Sequence, residues 1–382
     1  GVIDIVDKND FVATMKQFQN QVGGNVSVRM LGNTIVDADM LSVIPAKIES
    51  FTFADDVTIE ANTTLSKIKF ADGVATFKGN VTIAGNTVFN EEVDLDVNTK
   101  SQIVVASGSL TLGKNIAAKT IEVKKDATLN LNSGVIYTGD FANFAGTLNV
   151  GVANGADVTI ASTSEISLLS GTVNVNAQLN VNQNIKFGSE EKNALALTLN
   201  ASKIINGSNV YLYKSTTLNN NAVGFAVKNN TGTIVNNSGL TISGNNSGSV
   251  TNNAGKTLTV ANNLGTIDNY GTATVSTNNG TSTAKAVINQ KAETSLLVVA
   301  TNDSYGKIVT VAGSTTTVND TQDGEVVYVE DALLAINDPA AEGDVVYEAA
   351  NLTADQFAGL KPIVNKVVIT EDYTMAAIDK NV

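Results

Sequence analysis

Three acidic residues with strand-like spacing are the first candidates for chemistry. Glu92, Asp94 and Asp96 alternate with aliphatic residues, and alternate residues of a strand face the same way. If the aliphatic side chains point into a core, the carboxylates form a stripe on the outer face. This acidic stripe could hold Ca²⁺ or supply the carboxylate pair of a glycosidase. We favour the alternative of a solvated face that resists strand pairing, because a flat stripe offers no pocket.

Three tyrosines are candidates for ligand binding. Tyr211 and Tyr213 share one face of a predicted strand. On an outer face they could stack on sugar rings or on a protein partner, and on an inner face they would form an aromatic stack in the core. Tyr270 replaces an Asn in a repeated motif, and its parity predicts an outward side chain. Isolated exposed aromatic residues are also common where nothing binds.

The residue types that the chain lacks restrict its chemistry further. Its 382 residues include no His, no Cys and a single Arg, Arg29. Ser-His and Cys-His nucleophiles and the usual zinc sites therefore cannot form. No glycine-rich phosphate loop is followed by a Lys, and no dinucleotide fingerprint lies between a strand and a helix. We expect no enzymatic activity and no cofactor, with Ca²⁺ on carboxylates as the one ion left open.

Charge and hydropathy exclude two classes of interaction. The net charge of −13 opposes binding to nucleic acids and anionic membranes, both of which need a basic footprint. No apolar run approaches the ~20 residues that span a bilayer. The chain does not begin with Met, and we expect an export signal to precede Gly1 in the natural protein. This predicts an extracellular or cell-surface location.

A short motif written three times indicates the elements that carry these residues. It begins at residues 232, 248 and 265 as Gly-Thr-Ile-Val-Asn-Asn-Ser-Gly, Gly-Ser-Val-Thr-Asn-Asn-Ala-Gly and Gly-Thr-Ile-Asp-Asn-Tyr-Gly. Starts 16 and 17 residues apart are too close for a helix-containing repeat and suit one turn of a β-solenoid. Strand parity places Asn236, Asn252 and Asn269 inside, where stacked amides can bond to the copies above and below.

The same alternation, punctuated by Gly, Asn, Asp or Ser, extends over most of the chain. We expect an all-β fold, a single-stranded, right-handed parallel β-helix over residues 26–330. At ~20 residues a turn, it would have about 15 turns.

The two ends of the chain have a different character. Residues 1–25 are predicted to form an N-terminal cap, an amphipathic helix that starts at Asn9 or Asp10 and has Phe11 and Met15 on its apolar face. Residues 331–382 are predicted to form a small α+β unit, either a C-terminal cap or an appended subdomain. Its helices are expected at 331–336 and 353–360, with strands beginning at 344 and 366.

The Gly-Thr-Ile-x-Asn-x-x-Gly motifs, the Leu-Asn-Val strands and the capping helix together resemble the parallel β-helices of bacterial surface proteins. That group includes filamentous-haemagglutinin-like adhesins, autotransporter passenger domains and uncharacterised surface proteins of gut Bacteroidetes. The resemblance implies export and adhesion or display. Polysaccharide lyases and galacturonases share the fold, but Arg29 is the one candidate for a lyase base, and the His of the galacturonases is missing.

These observations favour a non-enzymatic surface protein whose rod-like β-helix contacts glycans or another surface protein. Two alternatives stay open: a carbohydrate-active lyase or glycoside hydrolase that uses carboxylates, and a purely structural envelope or matrix protein. We expect the site where the repeat loses its regularity, namely residues 186–230, the acidic stripe or the unit after residue 330.

Overall fold

The computed structural model describes residues 1–20, 24–31, 35–55, 57–59, 63–71, 75–77, 81–83, 85, 87–89, 93–95, 102–349 and 366–369. They belong to two compact units, Gly1–Thr216 and Thr217–Val382. Both are built mainly from parallel strands, stacked as a β-solenoid with about 15 turns among the described residues. The predicted fold class is thereby confirmed, whereas the right-handed coil and the boundaries at 25 and 330 stay predictions.

The first unit contains helices α1 (Lys8–Phe18) and α2 (Ala38–Ser42) and strands β1 to β25. In chain order, these strands are Val2–Ile5, Asn25–Met30, Ile35–Val36, Ser50–Ala54, Val57–Ile59, Thr63–Leu65, Ile68–Ala71, Ala75–Phe77, Val81–Ile83, Thr87–Phe89, Val93–Leu95, Gln102–Val105, Ser109–Leu112, Ile116–Val123, Thr128–Leu131, Ile136–Ala142, Thr147–Val150, Val158–Ala161, Ile166–Leu168, Gly171–Val175, Leu179–Val181, Ile185–Phe187, Leu197–Ala201, Ile205–Asn206 and Val210–Leu212.

Three parallel sheets enclose the core of this unit. The longest includes β13, β15, β17, β20 and β23, which pair residue for residue from one turn to the next. Their inward side chains form a fully buried aliphatic column: Leu110, Leu129, Leu148, Val173 and Leu199. The outward asparagines between them bond to each other, as Asn149 Nδ2 does to Asn130 Oδ1 at 2.8 Å. In the Leu-Asn-Leu pattern, the aliphatic side chains therefore point inward and the asparagine points outward, as predicted.

Helix α1 covers the aromatic end of this core. Phe11 is fully buried, and its ring centroid lies 5.9 Å from that of Phe51. Phe53, Phe70 and Phe89 continue the aromatic column at 5.8 and 5.4 Å. The apolar face of the helix is thus as predicted.

The helix begins slightly earlier than predicted. Its N-cap is Asp7, whose carboxylate accepts a 2.9 Å hydrogen bond from the backbone N–H of Asp10. Asp10 instead accepts from the backbone of Val6 at 2.8 Å. Strand β1, absent from the prediction, precedes the helix and pairs with β2 in parallel. Four residues are too few to show a period, so only their partner strand reveals them.

Replacing Asp7 with alanine should lower the stability of the first unit by about 1 kcal/mol, because the cap hydrogen bond is lost. Urea unfolding followed by circular dichroism measures this. Gln17→Ala, an exposed position in the same helix, should change stability by less than about 0.5 kcal/mol. Equal effects of the two substitutions would contradict the assigned cap.

The second unit contains β26 to β42, of which β26 begins at the last residue of the first unit. In chain order, these strands are Thr216–Asn220, Phe225–Val227, Asn229–Asn230, Thr233–Asn236, Gly239–Asn246, Ser249–Asn252, Thr257–Asn263, Thr266–Asn269, Thr272–Asn278, Ala286–Gln290, Leu296–Asn302, Gly306–Val309, Thr315–Gln322, Glu325–Val329, Leu333–Ile336, Val345–Ala349 and Lys366–Ile369. They form two parallel sheets, one running through β29, β31 and β33 and the other through β30, β32 and β34.

The predicted asparagine column is confirmed inside this unit. Asn236, Asn252 and Asn269 are fully buried. Asn236 Nδ2 donates to Asn252 Oδ1 at 2.7 Å, and Asn252 Nδ2 donates to Asn269 Oδ1 at 2.8 Å. Asn220 and Gln290 extend the same ladder at its two ends. Each buried amide is therefore satisfied by its copies, as the repeat requires.

A second buried ladder was not predicted. It runs at 2.8 to 3.1 Å through Asn230, Asn246, Asn263, Asn278, Asn302 and Gln322. Three of these asparagines stand two residues before the opening Gly of a motif. The sequence therefore carries a signal for this ladder, namely an Asn that recurs two residues before each opening Gly.

The predicted helix at 331–336 is wrong. Leu333–Ile336 is strand β40, in register with β38 from Thr315 to Val318. Ala and Leu favour a helix locally, but pairing with a neighbouring strand outweighs that preference. Strands β41 and β42 match the predicted strands, while the predicted helix at 353–360 lies outside the described residues.

Candidate functional site

The acidic stripe stays a prediction. Glu92 and Asp96 lie outside the described residues, and of Asp94 only the backbone is described, in β11 opposite Thr76 of β8. In the part of the chain that the structure describes, no three acidic side chains are grouped so as to hold a metal ion.

The paired tyrosines lie on an outer face of the first unit, formed by the short strands β19, β22 and β25. Tyr211 is the middle residue of β25, and Tyr213 directly follows that strand. These strands pair in register, with Ser167 beside Lys186 and Lys186 beside Tyr211. The flanking residues of each strand are aliphatic or aromatic and buried: Ile166, Leu168, Ile185, Phe187, Val210 and Leu212. Because both flanking positions point inward, the middle position must point outward. Tyr211 and Tyr213 are accordingly half-buried on the outside rather than stacked in the core.

Lys186 connects the tyrosines to a carboxylate. Its Nζ lies 2.5 Å from Glu165 Oε1 and 5.6 Å from the centroid of the Tyr213 ring. The hydrogen bond to Glu165, followed by the contact with Tyr213, raises the pKa of Lys186 above its ordinary value of 10.5. The ammonium group is thus charged near neutral pH, and its charge is balanced by Glu165.

Amide groups border the same face. The backbone N–H of Ile185 donates to Asn209 O at 3.0 Å. Because Asn184 directly precedes Ile185, this bond places Asn209 beside Asn184 on the next turn. Asn184 Oδ1 accepts from Ser208 Oγ at 3.0 Å and from Asn209 Nδ2 at 3.2 Å. The exposed Asn209 side chain retains an acceptor oxygen and a second N–H.

We call this surface the tyrosine face, defined by Glu165, Ser167, Asn184, Lys186, Asn209, Tyr211 and Tyr213. Aromatic rings supply flat apolar area, and the surrounding amide, hydroxyl, ammonium and carboxylate groups supply hydrogen bonds in both directions. Glu165 is the one carboxylate in this set, whereas glycoside hydrolysis generally needs two. The arrangement therefore suits binding of a polar ligand that has flat apolar sides.

Sequence reasoning found the two tyrosines and missed their partners. The signal for Lys186 was the spacing of three apolar-x-apolar triplets, at 166–168, 185–187 and 210–212. Aligning these triplets places Ser167, Lys186 and Tyr211 in one row. Glu165 then directly precedes the first triplet, and Tyr213 directly follows the third.

Tyr270 belongs to the second unit. Its side chain is 37% exposed, which agrees with the outward orientation that its parity predicts. It occupies the motif position held by Asn237 and Asn253, which bond to each other at 2.6 Å. A binding role for Tyr270 stays a prediction.

Asp140 is a polar centre whose role is structural. Its carboxylate accepts hydrogen bonds from the hydroxyls of Ser162 and Thr163 and from the backbone N–H groups of Thr163 and Ser164. Partial burial acts to raise the pKa of Asp140, but these hydrogen bonds outweigh it and hold the pKa well below its ordinary value of 3.8. Three of these hydrogen bonds go to Oδ1 and one to Oδ2, and all four come from residues 162–164, so the carboxylate holds this corner of the fold together.

Asp140→Asn should destabilise the first unit by about 1–2 kcal/mol at pH 7, because the bonds to the anion are weakened. A lowered native pKa stabilises the fold above the unfolded value of about 4, and this contribution declines as the pH falls below it. The difference between wild type and variant should therefore shrink in urea titrations at pH 3. Glu191→Gln, a control at an exposed residue of the same unit, should stay within about 0.5 kcal/mol at both pH values. A pH-independent difference for Asp140→Asn would contradict the assignment.

Taken together, the fold and the tyrosine face define a parallel β-solenoid protein with an exposed aromatic and polar surface. No protein-family model, curated protein or solved structure matches the chain. In the described residues, no helix has the length and apolar character needed to cross a membrane.

Proposed function

We propose that this protein is a non-catalytic glycan-binding protein of the cell surface, and that it binds its ligand through the tyrosine face. The observation that carries the proposal is the juxtaposition of Tyr211 and Tyr213 with the Lys186–Glu165 pair on one outer sheet. The surface location rests on the resemblance to bacterial surface β-helices.

Sugar rings match the groups on this face. A pyranose has C–H groups on its flat sides, which pack against aromatic rings, and hydroxyls at its rim, which both donate and accept hydrogen bonds. Tyr211 would supply the stacking surface. Lys186 and Glu165 are already in contact, so one hydroxyl can accept from the ammonium while a neighbouring hydroxyl donates to the carboxylate.

The charges favour a neutral glycan. Lys186 is balanced by Glu165, so the face has no free cation there to attract a carboxylated or sulfated sugar. The net charge of −13 adds a general repulsion of anions. We therefore expect hexoses, deoxyhexoses or N-acetylhexosamines rather than sialic or uronic acids.

The absence of catalysis is supported by the chemistry of the same groups. Glu165 is engaged in an ion pair with Lys186, and the tyrosine face contains no second carboxylate to complete the pair that glycoside hydrolysis generally needs. The chain also has no His to act as a base.

A glycan array carrying neutral and acidic oligosaccharides, probed with the wild-type protein, tests the proposal. Binding to neutral glycans is expected, with each bound glycan recovered intact by chromatography after incubation. An array without signal, or one in which acidic glycans alone bind, would contradict the proposed ligand class. Accumulation of a shorter or unsaturated product would contradict the non-catalytic role, and would revive the lyase and hydrolase alternatives.

A further inference from the structure

A groove lies beside the tyrosine face, at the corner of the first unit where the chain passes from β19 to β20. Its volume is about 320 Å³, within the range of roughly 300–1,000 Å³ typical of ligand sites. Its lining combines charged, hydroxyl and aliphatic groups on successive turns, chiefly Lys125, Asp126, Thr147, Ser170, Thr172 and Leu195.

Two chain segments lead from the tyrosine face into this groove. The first is Leu169–Ser170, which follows directly after β19. The second runs from Gly188, at the end of β22, to Leu195. Backbone hydrogen bonds from Gly188 to Leu168 at 2.8 Å and from Tyr213 to Phe187 at 2.9 Å align the start of both segments with Tyr213.

Each of these segments places an apolar side chain on the surface. Leu169 is 46% exposed and Leu195 is 67% exposed. The backbone N–H of Gly171 donates to Ala196 O at 3.0 Å, which keeps the two segments on adjacent turns. Leu169 therefore lies between the tyrosines and the groove, and Leu195 lies in the lining of the groove itself. At both places the chain exposes apolar area without an internal use for it.

The polar lining of the groove resembles that of the tyrosine face. Thr147 and Thr172 are in register on adjacent strands, so their hydroxyls form a short outward row. Lys125 and Asp126 place one positive and one negative group at the rim. These two residues together add no net charge to the groove, which again suits a neutral ligand rich in hydroxyls.

We propose that this groove is a second sugar subsite, so that the ligand is a neutral oligosaccharide that runs from Tyr211 and Tyr213 over Leu169 and Leu195 into the groove. The inference rests on the proposed glycan binding and adds to it the length of the ligand and the direction of its path. The leucines contact the flat sides of the middle sugars. The threonine hydroxyls and the Lys125–Asp126 pair bond to the hydroxyls of the last one.

Calorimetric titration with sugars of increasing length tests the proposal. The probes are glucose, cellobiose and cellotetraose, maltose and maltotetraose, and galactose with its β-1,4-linked dimer and tetramer. For at least one series, the wild-type protein should bind the tetrasaccharide about tenfold or more tightly than the monosaccharide, a gain of about 1.4 kcal/mol. Leu195→Asp should abolish that gain, so that the variant binds the tetrasaccharide about as weakly as it binds the monosaccharide. Val152→Asp, a control at a 63% exposed residue of the same unit, should preserve the gain.

The outcomes separate this inference from the proposed function. Equal affinity for short and long sugars, or an unchanged gain in Leu195→Asp, would overturn the second subsite and leave binding at the tyrosine face intact. Failure of the wild-type protein to bind any of these probes would overturn the subsite as proposed, and the glycan array then decides the proposed function independently.

Discussion

Replacing Asn252 with leucine should destabilise the second unit by about 3 kcal/mol, because leucine has nearly the shape of asparagine but none of its hydrogen bonds. Asn252 accepts from Asn236 and donates to Asn269. Its amide N–H group also reaches the carbonyls of Lys256 at 3.2 Å and Thr272 at 3.1 Å. The substitution therefore removes hydrogen bonds from several buried polar groups on three successive turns.

Hydrogen–deuterium exchange is the appropriate measurement, because the turns of a solenoid can open separately and one global unfolding energy is then ill defined. Exchange should accelerate in Ser249–Asn252 and in the paired strands Thr233–Asn236 and Thr266–Asn269. The matched control is Asn253→Leu, the same change at the adjacent, partly exposed position. Comparable acceleration in both variants would show that the buried ladder has no special part in stability.

The second large effect is expected on ligand affinity. Tyr211→Ala should weaken glycan binding about tenfold or more, since a truncated aromatic anchor commonly loses about 2 kcal/mol. Tyr211→Phe should retain most of the affinity, because the stacking ring remains. Titration calorimetry with the tightest neutral oligosaccharide measures both variants, and Tyr305→Ala, at a 43% exposed tyrosine of the second unit, serves as the control. Equal losses in the Ala and Phe variants would mean that the hydroxyl, and not the ring, makes the decisive contact.

The regular part of the fold could be predicted from the sequence because two periods coincide there. The alternation of strand residues gives the inward and outward positions, and the motif repeat gives the turn length. Asn236, Asn252 and Asn269 satisfy both periods and could be placed inside with their bonding partners. Leu333–Ile336 shows neither period clearly. The helix preference of its residues therefore determined the prediction. The pairing with β38 could not be inferred from the sequence.

The candidate site could be predicted only in part, because the turn length is not constant there. Its strands begin 19 and 25 residues apart, at Ile166, Ile185 and Val210, so no fixed turn length aligns them. Tyr211 and Tyr213 could be placed on one face because they stand two residues apart in a predicted strand, although β25 itself ends at Leu212. Their contact with Lys186, and through it with Glu165, depends on loop lengths that a strand pattern does not determine.

The location of a bound glycan tests the central claim most directly. A crystal structure of the protein with the tightest neutral oligosaccharide from the array should show a sugar ring packed against Tyr211, with hydroxyls bonded to Lys186 and Glu165. A glycan bound elsewhere on the molecule, with the tyrosine face unoccupied, would contradict the account.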